Sequence, residues 1–350
     1  MVTVAERVIK PDAGSGVFRV VFLYVGQGDA TVMAIPDGGE YRMMLVDSNL
    51  DSGSGGIDVP LLMQDLLQGG DLDYFVNTHP HNDHLEGLKA LIDGGIGIAN
   101  VWHSGHTPKD KGDDYNALMS LVDDLGDTGA QTLRGTRDEL PLGDVQVNVL
   151  APAEYVCDDI AGETAEARDA RIHEHCAVLR FCYGDPAVCV LVTGDADLAA
   201  WQNHITDYHG ERVQAAVLSA AHHGSRSFFM QNEGDEPYLG HLDAIAPSYV
   251  VLSAPTAEES PHDHPHEDAA KLYLDKVGED GLLHLGENRE CVIVNIWPDG
   301  QIEVELDAGE LADEYGSSDD NGGGDGNRAA KAAFGSMPFV TKIDDKPMGR

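Results

Sequence analysis

The stretch Thr-His-Pro-His-Asn-Asp-His at residues 78–84 directly follows an apolar run at residues 74–76. Four of its side chains are able to bind a metal ion: His79, His81, Asp83 and His84. Imidazole and carboxylate suit zinc or a similar divalent ion, and a turn after a buried strand can direct alternate side chains at two neighbouring ions. A loop of solvated histidines is the alternative, but it does not account for so dense a set. The stretch therefore predicts a metal site.

Strands and helices follow one another in series on both sides of this stretch. Two β-rich runs, at residues 18–25 and 30–35, flank Gly26-Gln27-Gly28-Asp29, which predicts a hairpin with a tight turn. Apolar periodicity predicts further strands at residues 41–46, 74–77, 98–102, 145–150, 177–182, 188–192, 215–219, 246–253, 282–285, 291–297 and 301–306. It predicts helices at residues 59–67, 85–93, 199–208, 238–244 and 268–277. Two sheets packed face to face with helices outside both accommodate this order.

Further metal-binding groups recur after later apolar runs. Asp195 follows the run at residues 188–192 and is placed either to bridge two metal ions or to cap the helix that follows. His222 and His223 follow the run at residues 215–219. Since neighbouring side chains of an extended chain point to opposite sides, one of the two is expected to be a ligand and the other catalytic or orienting.

Two other histidine clusters are candidates. His173 and His175 precede the strand at residues 177–182, and alternation puts both rings on one face, so either is able to bind metal. Three histidines at residues 262, 264 and 266 read as a polar surface loop, from which we expect only His264 to reach the site.

The net charge limits the substrate. The 350 residues include 61 acidic and 22 basic side chains, which gives a formal charge of −39. That charge repels other polyanions unless salt screens it. The excess of Asp over Glu and the scarcity of Lys indicate adaptation to high salt, with an ordinary acidic protein as the alternative.

The cysteines and the absence of a long apolar stretch bear on location. Five cysteines form no C-x-x-C pair and lie mostly in apolar runs, so we expect reduced core residues. No apolar stretch approaches the ~18 residues that a membrane span needs. The sequence predicts a cytoplasmic protein without a membrane partner.

The composition changes after Asp307. Residues 316–327 are Ser, Asp, Asn and Gly with almost nothing to bury, which predicts a flexible linker. Residues 329–350 are expected to be a disordered tail, with a peptide that docks on a protein partner as the alternative. The predicted organisation is a lead-in at residues 1–16, a hydrolase domain at residues 17–308, and a linker and tail at residues 309–350.

Taken together, these motifs resemble the metallo-β-lactamase superfamily, and within it the metallo-hydrolase domain of ComEC-type competence proteins and their free-standing relatives. The similarity covers residues 17–306 and rests on Gly26-Gln27-Gly28-Asp29-Ala30, Asp47-Ser48, His79-Pro80-His81-Asn82-Asp83-His84, Thr193-Gly194-Asp195, His222-His223-Gly224-Ser225 and His264-Pro265. It implies a four-layer αββα sandwich with a dinuclear metal site at one edge of the sheets.

The resemblance also implies roles for individual residues. His79 and His81 would hold the first ion, Asp83 and His84 the second, Asp195 would bridge them, and His222 or His223 would complete the set. His175 and His264 are added as candidate ligands, and Asp29, Asp47 and His173 are expected to orient the ligands. Asp83, Asp195, His222 and His223 are the candidate catalytic residues.

The function expected from this chemistry is metal-dependent hydrolysis. Two divalent ions, Zn²⁺ or alternatively Mn²⁺, would share a water and lower its pKa, and the resulting hydroxide would attack phosphorus or a carbonyl. A phosphodiester, including DNA, is the leading substrate, because ComEC-type domains are implicated in DNA strand degradation. The acidity favours a small-molecule ester, lactone or phosphonate instead, and a non-catalytic metal-binding regulatory module is the third alternative.

Overall fold

The computed structural model describes residues 2–50 and 55–317 of the chain. The strands are β1 (Phe18–Phe22), β2 (Thr31–Asp37), β3 (Glu40–Val46), β4 (Tyr74–Asn77), β5 (Val101–His103), β6 (Ala130–Thr132), β7 (Glu139–Leu142), β8 (Val145–Ala151), β9 (Val178–Tyr183), β10 (Val188–Val192), β11 (Val217–Ser219), β12 (Tyr249–Leu252), β13 (Leu282–His284), β14 (Val292–Ile296) and β15 (Ile302–Leu306). The α-helices are α1 (Val4–Ile9), α2 (Val59–Leu67), α3 (Asn82–Leu85), α4 (Leu88–Asp93), α5 (Asp113–Gly129), α6 (Glu154–Ala161), α7 (Ala165–Asp169), α8 (Leu198–Ala200), α9 (Thr206–His209), α10 (Gly240–Ile245), α11 (Glu267–Val277), α12 (Leu285–Asn288) and α13 (Glu310–Tyr315). One π-helical turn, Trp201–Ile205, joins α8 to α9.

Within the described residues the strands form two sheets. The first has the order β15-β14-β1-β2-β3-β4-β5-β6, and the second has the order β13-β12-β11-β10-β9-β8-β7. Strands β3 to β6 of the first sheet run parallel to one another, as do β10 to β13 of the second. Each sheet thus has an edge at which the carboxyl ends of parallel strands lie side by side.

Helices cover the outer faces of both sheets. In β10, Val190 and Val192 face a core shared with the first sheet, whereas Leu191 faces a second core with residues of the helical layer. Alternation along the strand explains this, because successive side chains point to opposite faces. Residues of α1, α2 and α4 pack against the first sheet. The predicted αββα sandwich is confirmed.

Several elements differ from the sequence prediction. The single helix expected at residues 85–93 is divided into α3 and α4 at Gly87, whose φ is 103°. Helix α5, with a kink at Gly126, was not predicted, although its Tyr115 and Leu118 are buried. No helix of the described part of the chain is both long and apolar enough to cross a membrane.

The cysteines correct one expectation. Cys182 and Cys189 form a disulfide, so the prediction of five reduced cysteines is wrong; Cys157, Cys176 and Cys291 are free and buried. The two bonded residues lie opposite one another in the β9–β10 ladder. The sequence did not predict this pairing, because both cysteines have apolar neighbours and because the pairing depends on the register of the hairpin.

The packed body extends past both expected domain boundaries. Helix α1 lies within the predicted lead-in, yet Ala5 and Ile9 are fully buried. Helix α13 lies beyond residue 308, and its Leu311 and Tyr315 are buried. Tyr315 accepts a hydrogen bond from the Ala5 backbone and donates one to Asp65. The predicted linker beyond residue 317 and the predicted tail lie outside the described residues.

Truncation should separate these two parts. Removal of residues 318–350 should leave the melting temperature unchanged, because none of the metal motifs lies there and residues 316–327 have almost nothing to bury. Removal of residues 308–350 should lower the free energy of unfolding by about 4 kcal/mol. This deletion removes the buried side chains of Leu311 and Tyr315 and exposes the surface against which they pack. Chemical denaturation of both truncated proteins tests this. Equal stability of the two would show that α13 contributes nothing.

Candidate metal centre

The candidate ligands follow the carboxyl ends of parallel strands in both sheets. In the first sheet, Asp47 follows β3 and the residues 78–84 follow β4. In the second, Asp195 follows β10 and His223 follows β11. Because the two sheets face one another, these ends meet at one edge of the sandwich. Crevices at such strand ends are where open α/β sheets bind ligands.

One group of candidate ligands consists of four side chains: His79, His81, His173 and Asp195. Its three imidazole rings lie around Asp195 Oδ2. His79 Nε2 lies 3.1 Å from His81 Nδ1 and 3.5 Å from Asp195 Oδ2. His173 Nε2 lies 3.3 Å from His81 Nδ1 and 3.5 Å from Asp195 Oδ2. Ligand atoms from three separate loops therefore converge on one point.

A second group lies at the other oxygen of Asp195. Its members are Asp29, His84, Asp195 and His223. His84 Nε2 lies 3.0 Å from Asp195 Oδ1 and 3.1 Å from His223 Nε2. His223 Nε2 is also 3.5 Å from Asp195 Oδ1. The carboxylate of Asp195 is thus shared between two groups.

The separations fit divalent metal ions. Two ligand atoms that are 2.0–2.1 Å from one tetrahedral ion lie about 3.3–3.4 Å apart. The distances between the facing nitrogen and oxygen atoms in both groups are 3.0–3.5 Å. Asp195 Oδ1 is buried and has no hydrogen-bond partner among the described residues. A cation between the facing lone pairs would satisfy these atoms.

Hydrogen bonds behind the rings fix their orientation. Asp47 Oδ2 lies 2.9 Å from His84 Nδ1, and the backbone oxygen of Ser253 lies 3.0 Å from His223 Nδ1. Both Nδ1 atoms therefore donate, and each Nε2 is directed at Asp195. Asp47 also accepts from the backbone N–H and the hydroxyl of Thr78, at 2.7 and 2.6 Å. Such partners of ligating histidines set tautomer and basicity.

The electrostatics of the groups match a cation site. Burial and the charge of His84 lower the pKa of His79 to about 3, so its ring is neutral. Burial lowers the pKa of His84, but the carboxylates of Asp195 and Asp83 outweigh it and raise the pKa well above its usual value. Burial raises the pKa of Asp195, but His222, His84 and His223 together hold it well below its usual value. The carboxylates are ionised and attract positive charge.

His175 does not lie with the candidate ligands. Its Nδ1 is 3.1 Å from His106 Nδ1, in a buried pair outside both groups. His173, which the sequence left open as a ligand or an orienting residue, is in the first group. A tight turn separates the two rings, because the Cys176 backbone bonds back to His173 and the His175 backbone to Arg171. Strand-like alternation therefore does not apply before β9.

His222 and His223 also differ from the expected geometry. Their backbone is not extended but left-handed, with φ of 52° and 55°. His223 belongs to the second group, whereas His222 Nε2 lies 3.5 Å from Asp195 Oδ2 and its Nδ1 is 2.9 Å from the hydroxyl of Ser227. Two consecutive non-glycine residues in this region are uncommon and concentrate at functional sites.

Asp83 and Asp29 are alternative carboxylate ligands for the second group. Asp83 Oδ2 lies 3.4 Å from His223 Nε2, the nitrogen that faces Asp195. Asp29 approaches the Nδ1 atoms of His223 and His84, at 3.6 and 3.8 Å, which already bond to Ser253 and Asp47. Asp83 is therefore better placed than Asp29 to share an ion with His223. The second group contains Asp29 because its members are defined by the distances between their ligand atoms.

The turn at residues 26–29 closes one side of the site. A Cβ at Gly28, where φ is 146°, would lie 2.4 Å from the backbone oxygen of Asp83, so only glycine fits. His264 lies beside the groups rather than in them: its Nδ1 is 3.3 Å from the Gln27 amide, and its ring centroid is 5.2 Å from that of His222.

Two contributors to the site were missed by sequence reasoning. Thr78 bonds to Asp47, and Ser253 holds His223 through its backbone. The position of Thr78 directly before the first histidine was the available signal. Nothing in the sequence distinguishes the backbone oxygen of Ser253.

Comparison with known proteins gives similarity in structure only. No family model and no curated protein sequence matches the chain. Solved structures with metallo-β-lactamase folds resemble it. These include YhfI from Bacillus subtilis, a metallo-β-lactamase fold protein (13% identity, TM-score 0.41, covering 76% of this chain and 95% of that one), and BJP-1, a subclass B3 metallo-β-lactamase of Bradyrhizobium japonicum (14% identity, TM-score 0.30, 63% and 87%). A diphosphatase from the PhnP family is also similar (13% identity, TM-score 0.37, 76% and 94%).

TM-scores this low carry no argument about the fold. The αββα architecture is established by the two sheets and the two hydrophobic cores of this chain. The narrower resemblance to ComEC-type domains stays a prediction.

Proposed function

We propose that this protein is a dinuclear metal-dependent hydrolase that acts on phosphodiesters. The observation that carries the proposal is the position of Asp195, whose two oxygens face two separate histidine groups. The proposed ligands of the first ion are His79, His81, His173 and Asp195. Those of the second ion are Asp83, His84, His223 and Asp195.

Zn²⁺ is the proposed metal and Mn²⁺ the alternative, because the donors are imidazoles and carboxylates without thiolate. Two such ions would supply a water of lowered pKa and positive charge for the oxygens of the transition state. His222 is placed to protonate a leaving group: its side chain is 21% exposed, and its Nδ1 is held by Ser227. His264, oriented by Gln27, is the second candidate donor.

The loop after β5 supports an anionic substrate. Residues 104–112 pack on the segment that carries His173, through the His106–His175 pair and through a hydrogen bond from Arg168 to the Thr107 backbone. Lys109 and Lys111 are exposed on this loop. These two cations offer contacts to an anionic substrate, although Asp110 lies between them and the net charge of the chain is −39. The net charge itself favours the alternative, a small-molecule ester, lactone or phosphonate.

Metal content and hydrolysis test the proposal together. Elemental analysis should find about two divalent ions per chain, because each side of Asp195 offers a separate ligand set. His81→Ala should lose metal and lose hydrolysis of bis-(p-nitrophenyl) phosphate. His262→Ala is the matched control, since this exposed histidine lies outside both groups. Metal-free protein that resists reconstitution would refute the metal centre, and two bound ions without hydrolysis of any ester would support the regulatory module.

Salt should separate the substrate classes. Screening must offset the net charge before a nucleic acid can approach, so the rate on single-stranded DNA should rise with salt more steeply than the rate on bis-(p-nitrophenyl) phosphate. Both rates are measured where circular dichroism shows folded protein. Parallel curves, or DNA cleavage fastest at the lowest salt, would show that Lys109 and Lys111 outweigh the net charge.

A further inference from the structure

A second set of reactive side chains lies outside the metal centre, between α6 and the helical segment at residues 198–209. His204 Nε2 is 2.6 Å from Glu174 Oε1, and the phenol of Tyr155 is hydrogen-bonded to His204 Nδ1. We propose that Tyr155 is a nucleophile activated by His204 and Glu174, and that it accepts an acyl or phosphoryl group from an activated donor.

The hydrogen bonds fix the role of each group. The carboxylate of Glu174 lies between two donors, the guanidinium of Arg171 and the ring of His204. Glu174 Oε2 accepts from Arg171 Nε at 2.6 Å, while Oε1 accepts from His204 Nε2. The lone pair of His204 Nδ1 is then left to accept the Tyr155 proton. A hydroxyl, a base and a group that orients the base are the components of an activated nucleophile.

Exposure follows the same division of roles. Tyr155 is 55% exposed, whereas the side chains of His204 and Glu174 are 9% and 14% exposed. A reagent can therefore reach the phenol but not the groups behind it. Burial and the charges of Glu174 and Asp159 raise the pKa of Tyr155, so the phenol is not ionised on its own. Its reactivity depends on proton transfer to His204.

The backbone that carries His204 is irregular. His204 lies in the π-helical turn, which is anchored by the fully buried Trp201 and closed by a hydrogen bond from the Thr206 hydroxyl to the Trp201 backbone oxygen. Single π-turns inside helices occur frequently at functional sites, where they redirect a side chain. Here the turn places His204 between Glu174 and Tyr155.

The reaction is a simple group transfer. Tyr155 Oη attacks the acyl carbon or phosphorus, and its proton moves to His204 Nδ1. The bond to the leaving group breaks, and the leaving group departs with the electron pair and takes the proton from His204. The product is an O-acyl or O-phosphoryl tyrosine.

Acetylation by p-nitrophenyl acetate tests the proposal on the metal-loaded full-length protein. Intact-mass measurement and peptide mapping follow the adduct at each tyrosine. Tyr208 is the internal control, because it is 50% exposed and packs against Arg137 rather than the His204–Glu174 pair. Tyr155 should be acetylated about 100-fold faster than Tyr208, the contribution typical of a positioned base. His204→Asn should reduce the rate at Tyr155 to that at Tyr208, and Tyr208→Phe should leave it unchanged.

Two results would overturn the proposal: equal acetylation of Tyr155 and Tyr208, or unchanged acetylation of Tyr155 in His204→Asn. Glu174→Gln, which should also slow Tyr155, serves as the second variant if His204→Asn does not fold. Metal content is measured in each variant because Glu174 follows His173. Loss of metal with unchanged acetylation would mean that the hydrogen bonds only hold the turn. The adduct itself does not depend on the metal centre, so its outcome is independent of the proposed phosphodiester hydrolysis.

Discussion

Asp195→Asn should abolish binding of one of the two ions and reduce hydrolysis of bis-(p-nitrophenyl) phosphate by more than about 100-fold. Loss of a residue that only hydrogen-bonds to a metal ligand lowers metal affinity or activity by about 10- to 100-fold. This substitution removes an oxygen of a ligand itself, so its effect should be larger. The amide keeps the size of the side chain but replaces one oxygen, which faces either His79 or His84, by a nitrogen without a free lone pair. Elemental analysis and the rate at saturating metal measure both effects.

Asp197→Asn provides the matched control two residues further along. Asp197 caps α8 by accepting from the Ala200 backbone at 3.0 Å, and asparagine caps helices equally well. This variant should keep both ions and the full rate. Asp195→Asn protein that is folded by circular dichroism, binds two ions and hydrolyses the ester normally would show that the two histidine groups do not share this carboxylate.

Asp47→Asn should lower both the stability of the protein and its affinity for metal. Removal of one partner of a buried ion pair typically costs about 3–5 kcal/mol, and loss of a partner behind a ligating histidine costs about 10- to 100-fold in metal affinity. Asp47 is 1% exposed and accepts three hydrogen bonds from His84 and Thr78. The amide nitrogen of asparagine would oppose one of these donors. Asparagine tolerates the left-handed backbone at this position, where φ is 56°, so the substitution adds little strain.

A buried carboxylate far from the ligands separates the two effects. Asp307 accepts from the backbone N–H groups of Cys291, Gly309 and Leu311, so Asp307→Asn should also cost stability. It should leave metal affinity unchanged. Urea denaturation and competition with a chelator for zinc compare the variants. If both variants lost metal equally, the effect of Asp47 would be general destabilisation rather than orientation of His84.

The predicted fold and the first part of the site came from local patterns. The run before residues 78–84 forms β4, and the hairpin around Gly26–Asp29 forms β1 and β2 as predicted. These predictions succeeded because strand and turn signals depend on neighbours within a few residues. The disulfide and α13 could not be predicted in this way. The first depends on register, and the second depends on contacts with α1 and α2 from the opposite end of the chain.

Some candidate ligands were likewise predictable from local patterns, whereas others were identified only by the tertiary structure. The sequence by itself determined that residues 78–84 carry metal-binding groups and that Asp195 follows a buried strand, because ligand type and strand position are local properties. Only the tertiary structure grouped His173 rather than His175 with His79, and His223 rather than His222 with His84. Each of these choices depends on backbone conformation. A tight turn holds His173, and left-handed residues at 222 and 223 replace an extended chain. The backbone of Ala177 donates to Thr78 and that of His222 donates to Gly194, so contacts between residues distant in sequence position both segments.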